Sequence, residues 1–159
     1  ANDACRALAD WQGGDQKRFV AAMNARAAQL GLRDTHFADA CGHDAADQFS
    51  SARDLSRLAR AALAEPEIVA AAQLADYRFT TLGGRRFEVR STNALIGRLD
   101  GAKGLKTGYT PGAGRCLIAW AERGGVEVLA VMLDAPDRWW DTVGVLELAF
   151  DESPLPASP

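Results

Sequence analysis

Apolar positions recur at helical spacing from the first residues. Ala4, Leu8 and Trp11 share one face of a predicted helix over 1–11, which Gly13-Gly14 stops. Asn2 and Asp3 stand where side-chain oxygens cap the free amides of a first turn. Asp15 opens a second predicted helix over 16–30, with Phe19, Met23, Ala27 and Leu30 inward and Gly31 at its end. Residues 36–50 break the periodicity and are polar. Residues 50–54 then lead into a helix reaching about residue 64, with Leu55, Leu58, Ala59 and Ala62 inward. Pro66 starts a short helix, where a missing amide proton costs nothing.

From residue 76 the pattern changes to strands. Residues 76–81 and 86–89 form a predicted hairpin around Leu82-Gly83-Gly84, and Arg85-Arg86 belongs to its turn. Two runs rich in Val, Leu and Ile, 116–120 and 126–133, flank Arg123-Gly124-Gly125 as a second hairpin. Lys106-Thr107-Gly108 feeds into that same sheet as a strand. It places a cation and a hydroxyl beside backbone that another molecule can approach closely. Such a strand can hold an extended peptide by main-chain hydrogen bonds while Lys and Thr grip an anionic end. A closing helix begins after 134–137, with Trp140, Val143, Leu146, Ala149 and Phe150 inward. Arg138 lies in its first turn, where a cation is mildly disfavoured and a partner anion is expected. Residues 151–159 are too rich in proline to continue the helix and read as a linker-like tail. The fold class is therefore α+β, with one domain over 1–150.

Composition narrows the function. At 159 residues the chain is one domain's worth, and 48% hydrophobic with 25% charged residues is ordinary for a globular protein. A net charge of −3 argues against nucleic-acid binding. No apolar run approaches the ~20 residues a membrane helix needs. Residues 36–50 hold His36, His43, Asp39, Asp44 and Asp47, but no spacing puts His and Asp on a common face. A solvated loop is expected there, with no metal and no cofactor. Cys5, Cys41 and Cys116 have unrelated spacings and read as free, buried thiols, one disulfide remaining open.

The string around Lys106-Thr107-Gly108 extends this picture: Gly104-Leu105 precede it, and Tyr109-Thr110 and Ala113-Gly114 follow. It resembles the third active-site motif of low-molecular-mass penicillin-binding proteins, the serine-type D-alanyl-D-alanine carboxypeptidases of peptidase family S11. Residues 1–5, followed by an alanine-rich helix, resemble the second motif, Ser-x-Asn, with Asn2 as its asparagine. The stretches 19–37 and Ser51 to Leu55 also match the family's order, and Ser91 to Leu95 resembles its Asn-x-Asn-x-Leu approach with Ser91 in place of the first asparagine. The resemblance runs from residue 1 to about 150.

It implies a serine β-lactamase/D,D-peptidase-like fold, an antiparallel sheet flanked by helices, and a peptidoglycan stem peptide as substrate. β-Lactams would be covalent ligands and the location extracytoplasmic. Lys106 would supply positive potential, Thr107 and Gly108 would bind the substrate's carboxylate end with Arg138 as a helper, and Asn2 would hold its amide carbonyl. The backbone amide of Tyr109 would serve the oxyanion hole. The family's nucleophile lies in Ser-x-x-Lys, but the residues three before Lys17, Lys103 and Lys106 are Gly14, Asp100 and Lys103. The chain is therefore expected to be the C-terminal half of a catalytic domain. An N-terminal half of the same domain would bring the nucleophile and pair with the strand over 126–133. Any export signal or membrane anchor would lie in absent segments. The family usually has Gly-Leu where this chain has Gly42-His43, which leaves the role of His43 open. An inactive stem-peptide-binding module is the alternative. A β-lactamase fits less well, because the loop over 36–50 holds no glutamate to drive deacylation.

Overall fold

A computed structural model describes residues 2–152. Within them the elements run α1 (Asn2–Gly13), α2 (Gln16–Gln29), α3 (Ala52–Leu63), α4 (Pro66–Ala72), β1 (Asp76–Thr80), β2 (Arg86–Arg90), β3 (Ala102–Thr110), β4 (Gly114–Arg123), β5 (Val126–Met132) and α5 (Arg138–Glu152). The Asp15 carboxylate caps α2 through the Arg18 amide, and the Ser51 hydroxyl caps α3 through the Asp54 amide. Ala1 and residues 153–159, most of the expected tail, lie outside the described residues. Asp151 and Glu152 are still helical, two residues past the expected end of α5.

The central sheet has the order β3-β4-β5, all antiparallel, so the Lys-Thr-Gly segment joins the second hairpin as expected. Leu117, Ala119 and Ala121 of β4 and Ala130 of β5 form the buried core with Leu95 and Leu146. Trp139, Val143 and Phe150 of α5 pack against it. This differs from the expected inner face in one aromatic residue: Trp140 is 79% exposed and Trp139 takes the inward position. The cause is Arg138. Its Nη1 donates to the carbonyls of Gly108 and Cys116 at 2.8 and 3.3 Å, which fixes the rotation of the helix start. The far part of α5 is held by Arg123, whose guanidinium meets both Glu147 oxygens at 2.6 and 2.7 Å.

On helix α1 the apolar face shared by Ala4, Leu8 and Trp11 is exposed. Leu8 and Trp11 are exposed, and Ala9 is fully buried. Cys5 lies one turn before Ala9 on the same face and forms a disulfide with Cys41, 36 residues away. The expectation of three free thiols is thus corrected: Cys116 alone is free among the described cysteines. No sequence spacing announced the bond, because the tertiary fold brings the two Cα atoms to 5.7 Å.

The loop over 36–50 is solvated, with none of its residues buried, and is at the same time organised by hydrogen bonds. A bridge joins His36 to Phe49 through both main-chain hydrogen bonds, closing the loop at its base. The Asn24 side chain grips Phe37 through its amide and carbonyl at 2.8 and 2.7 Å. The Gln48 carbonyl oxygen accepts from the amides of Ala38 and Asp39, while its amide nitrogen donates to the His43 carbonyl.

Just after this loop, Asp54 is 1% exposed and accepts from two residues that precede it, through the Asp34 amide (2.8 Å) and the Thr35 hydroxyl (2.9 Å). Arg57 lies 3.5 Å from its other oxygen. Asp54→Asn puts an amide group among these donors and is expected to cost about 1–2 kcal/mol. Urea unfolding measures it; an unchanged midpoint would show that the carboxylate is not what holds this corner.

Candidate active site

Strand β3 presents the motif residues. Lys106 pairs in register with Ile118, Thr107 with Leu117 and Gly108 with Cys116. A Cβ added at Gly108 would meet only Cys116, at an ordinary contact distance of 3.6 Å. The chain's own packing therefore does not demand glycine there. The Thr107 hydroxyl shares a 2.7 Å hydrogen bond with the hydroxyl of Thr92. Thr92 is thus a site residue that the sequence did not single out.

The Lys106 ammonium donates to the Thr107 carbonyl. By surface area Lys106 is exposed. Even so, desolvation by the surrounding protein pulls its pKa below the ordinary lysine value. The cleft is open, so its walls thin the water around the charge without closing over it. The direction of the shift stands, and solvent screening keeps its energetic weight small. Lys106 also sits on an apolar groove of ≈ 570 Å³, lined by Leu58, Ala62, Ile68, Leu105 and Ile118 among others.

Arg138 reaches this region from behind the motif through the Gly108 carbonyl. Its Nη1 is committed to main-chain oxygens rather than to the anion expected at a helix start, and its Nε is buried without a hydrogen-bond partner. Tyr109 follows in β3, 67% exposed and in register with Arg115.

Asn2 stands on a different element, the first turn of α1, and the loop over 36–50 connects it to the β3 region. Its side-chain amide donates to Nε2 of His43 at 3.0 Å. The next loop residue, Asp44, accepts from the Thr110 hydroxyl (2.5 Å) and the Gly112 amide (3.0 Å). A Cβ at Gly112 would fall 2.9 Å from the Asp44 carboxylate, so the turn after β3 needs glycine for this approach. One loop thus reaches both motif-bearing elements and is pinned to α1 by the disulfide. Asp44 and Thr110 are 66 positions apart, and no local pattern signals their meeting.

A family model described as D-alanyl-D-alanine carboxypeptidase matches residues 1–137. D-alanyl-D-alanine carboxypeptidase DacD of Escherichia coli is 42% identical over 136 residues, covering 84% of this chain and 34% of that protein. The crystal structure of the Streptomyces K15 DD-transpeptidase aligns with a TM-score of 0.88 at 31% identity, over 94% of this chain and 62% of that one. Penicillin-binding protein D2 from Listeria monocytogenes, in its ampicillin-bound form, aligns with a TM-score of 0.82 at 36% identity, over 94% and 62%. The chain spans about a third of the length of the first curated relatives it matches.

Proposed function

The chain belongs to the D-alanyl-D-alanine carboxypeptidases of peptidase family S11, and from that membership we propose that it forms part of a serine carboxypeptidase acting on peptidoglycan stem peptides. The observation that carries the proposal is Lys106-Thr107-Gly108 on β3, with Asn2 on α1 linked to the same strand's end through His43 and Asp44.

The chemistry is acyl transfer. A serine oxygen attacks the carbonyl of the penultimate D-alanine, the amide C–N bond breaks, and the terminal D-alanine leaves with a proton on its nitrogen. Water then hydrolyses the ester. Lys106 provides the positive potential that draws in the substrate's terminal carboxylate, and Thr107, oriented by Thr92, donates to it. Gly108 allows close approach. Arg138 holds the strand by its Gly108 carbonyl. Asn2 binds the substrate's amide carbonyl, and the Tyr109 amide stabilises the oxyanion. A β-lactam enters the same path, and its opened ring stays attached as an acyl group.

The serine and its lysine come from an N-terminal half of the same domain. Two features of the described residues support this companion. Apolar side chains stand exposed on α1 (Leu8, Trp11), α5 (Trp140, Val145, Leu148) and β1–β2 (Tyr77, Phe79, Phe87, Val89). Strand β5 pairs with β4 on one side only among the described residues, leaving an edge that a further strand can use. Location outside the cytoplasm follows from the family and agrees with the Cys5–Cys41 disulfide, which an oxidising compartment maintains. No described helix is long and apolar enough to cross a membrane.

A fluorescent penicillin, followed by a denaturing gel and intact mass, tests the proposal. Label is expected on a serine outside these 159 residues. Label on a residue of this chain would displace the assigned nucleophile. Reversible binding of stem peptide without any label would favour a binding module.

A further inference from the structure

Asp39, His43 and Asn2 form a chain of side-chain contacts that the proposed chemistry does not use. Asp39 Oδ1 lies 2.9 Å from His43 Nδ1 and also accepts from the amides of Cys41 (2.7 Å) and His43 (3.0 Å). At the far side of the ring, His43 Nε2 lies 3.0 Å from Asn2 Nδ2. We infer that His43, oriented by Asp39, is a positioning residue that sets which end of the Asn2 amide faces the cleft.

The inference follows from donor and acceptor rules. An ionised carboxylate can only accept, so the ring nitrogen facing Asp39 must carry the proton. Asp39 stays ionised: partial burial pushes its pKa up, but the hydrogen bonds from His43 and Cys41 outweigh this and hold it below the usual value. A neutral imidazole protonated at Nδ1 has a bare Nε2 that can only accept. The amide group of Asn2 must then be turned toward His43. One of its two protons is used there, and the second remains to donate to a substrate carbonyl.

With the other tautomer the ring would donate, the amide would turn its oxygen to His43, and the proton arrangement toward substrate would change. Asp39 therefore acts at a distance of two hydrogen bonds. The backbone supports the geometry. Gly42, at φ +86°, makes the turn that brings His43 back onto Asp39, and the Cys5–Cys41 bond ties this turn to the helix that carries Asn2.

This inference rests on the reading of Asn2 as a substrate ligand, so the test has one arm that needs no activity. In the complete, ¹⁵N-labelled protein, the His43 ring is expected to be protonated at Nδ1, and His43→Leu is expected to move the Asn2 side-chain amide resonances. A ring protonated at Nε2, or Asn2 resonances indifferent to His43→Leu, would overturn the pairing.

In the second arm, His43→Leu should slow β-lactam acylation about fivefold, the scale of one lost hydrogen bond. His43→Gln offers an acceptor to Asn2 and a donor to Asp39, and should restore most of the rate. A His43→Leu enzyme acylated at the wild-type rate would refute the positioning role. A wild-type protein that is never acylated would instead refute the carboxypeptidase proposal, and the ring measurement alone would decide the pairing.

Discussion

Lys106→Ala is expected to slow acylation by a β-lactam about a hundred- to a thousandfold, the scale on which removal of one preorganised polar group acts in acyl transfer. Lys106 is the cation of the Lys-Thr-Gly motif, the other β3 lysine, Lys103, being paired with Glu122, and its ammonium already sits by the main chain of that motif. Loss of this charge removes both the attraction for a carboxylate and the field that eases proton movement from the nucleophile. The lowered pKa gives the change a pH signature. Below that pKa the ammonium is charged and the clamp works. As pH rises through it the charge is lost, earlier than for an ordinary lysine near 10.4. The alkaline limb of the acylation rate should therefore fall below that value. In Lys106→Arg the guanidinium stays protonated throughout, so the limb should move upward, although the absolute rate drops with the changed geometry. Acylation measured from pH 6 to 11 on the three proteins decides the matter. An alanine variant acylated at the wild-type rate would remove Lys106 from the site.

Replacing Cys5 and Cys41 together by serine is expected to destabilise the protein by about 3–4 kcal/mol, from the loop entropy released in the unfolded chain. The bond closes a sequence separation of 36 residues. It also fastens a helix with few other anchors, since among α1 residues only Ala9 is buried. Urea unfolding of the double variant should show a lower midpoint, and thiol labelling of the unfolded, unreduced protein with mass mapping should modify Cys116 and leave Cys5 and Cys41 unmodified. Label on Cys5 or Cys41, or an unchanged midpoint, would show that the bond does not form or does not matter.

Most of the secondary structure was legible because it depends on local spacing. Caps at Asp15 and Ser51, glycines after helices, and apolar runs around Arg123-Gly124-Gly125 mark the element ends without reference to the rest of the chain. The motif residues were legible for a related reason. Lys106, Thr107 and Gly108 are contiguous, and a contiguous motif needs no fold to be seen. The errors lie where two distant segments meet. Helix α5 is turned toward Trp139 instead of Trp140 because Arg138 binds carbonyls on two strands, and helical spacing alone tolerates both faces. On α1 the spacing shows that Ala4, Leu8 and Trp11 share a face, but not that this face stays exposed while the Cys5–Cys41 bond draws the other side onto the loop.

By itself, then, the sequence determined the order of helices and strands, the sheet that carries the Lys-Thr-Gly motif, and the chemical character of the site. Only the tertiary structure decided that the loop over 36–50 is an organised brace, with Asp39 and His43 behind Asn2 and Asp44 on the turn after β3. The physical reason is range. Backbone preferences and side-chain periodicity act over a few residues and leave their mark in the order of amino acids. A hydrogen bond between residues 66 apart, or a disulfide across 36, depends on where the packed elements place the two ends, and neither end carries a local sign of the other.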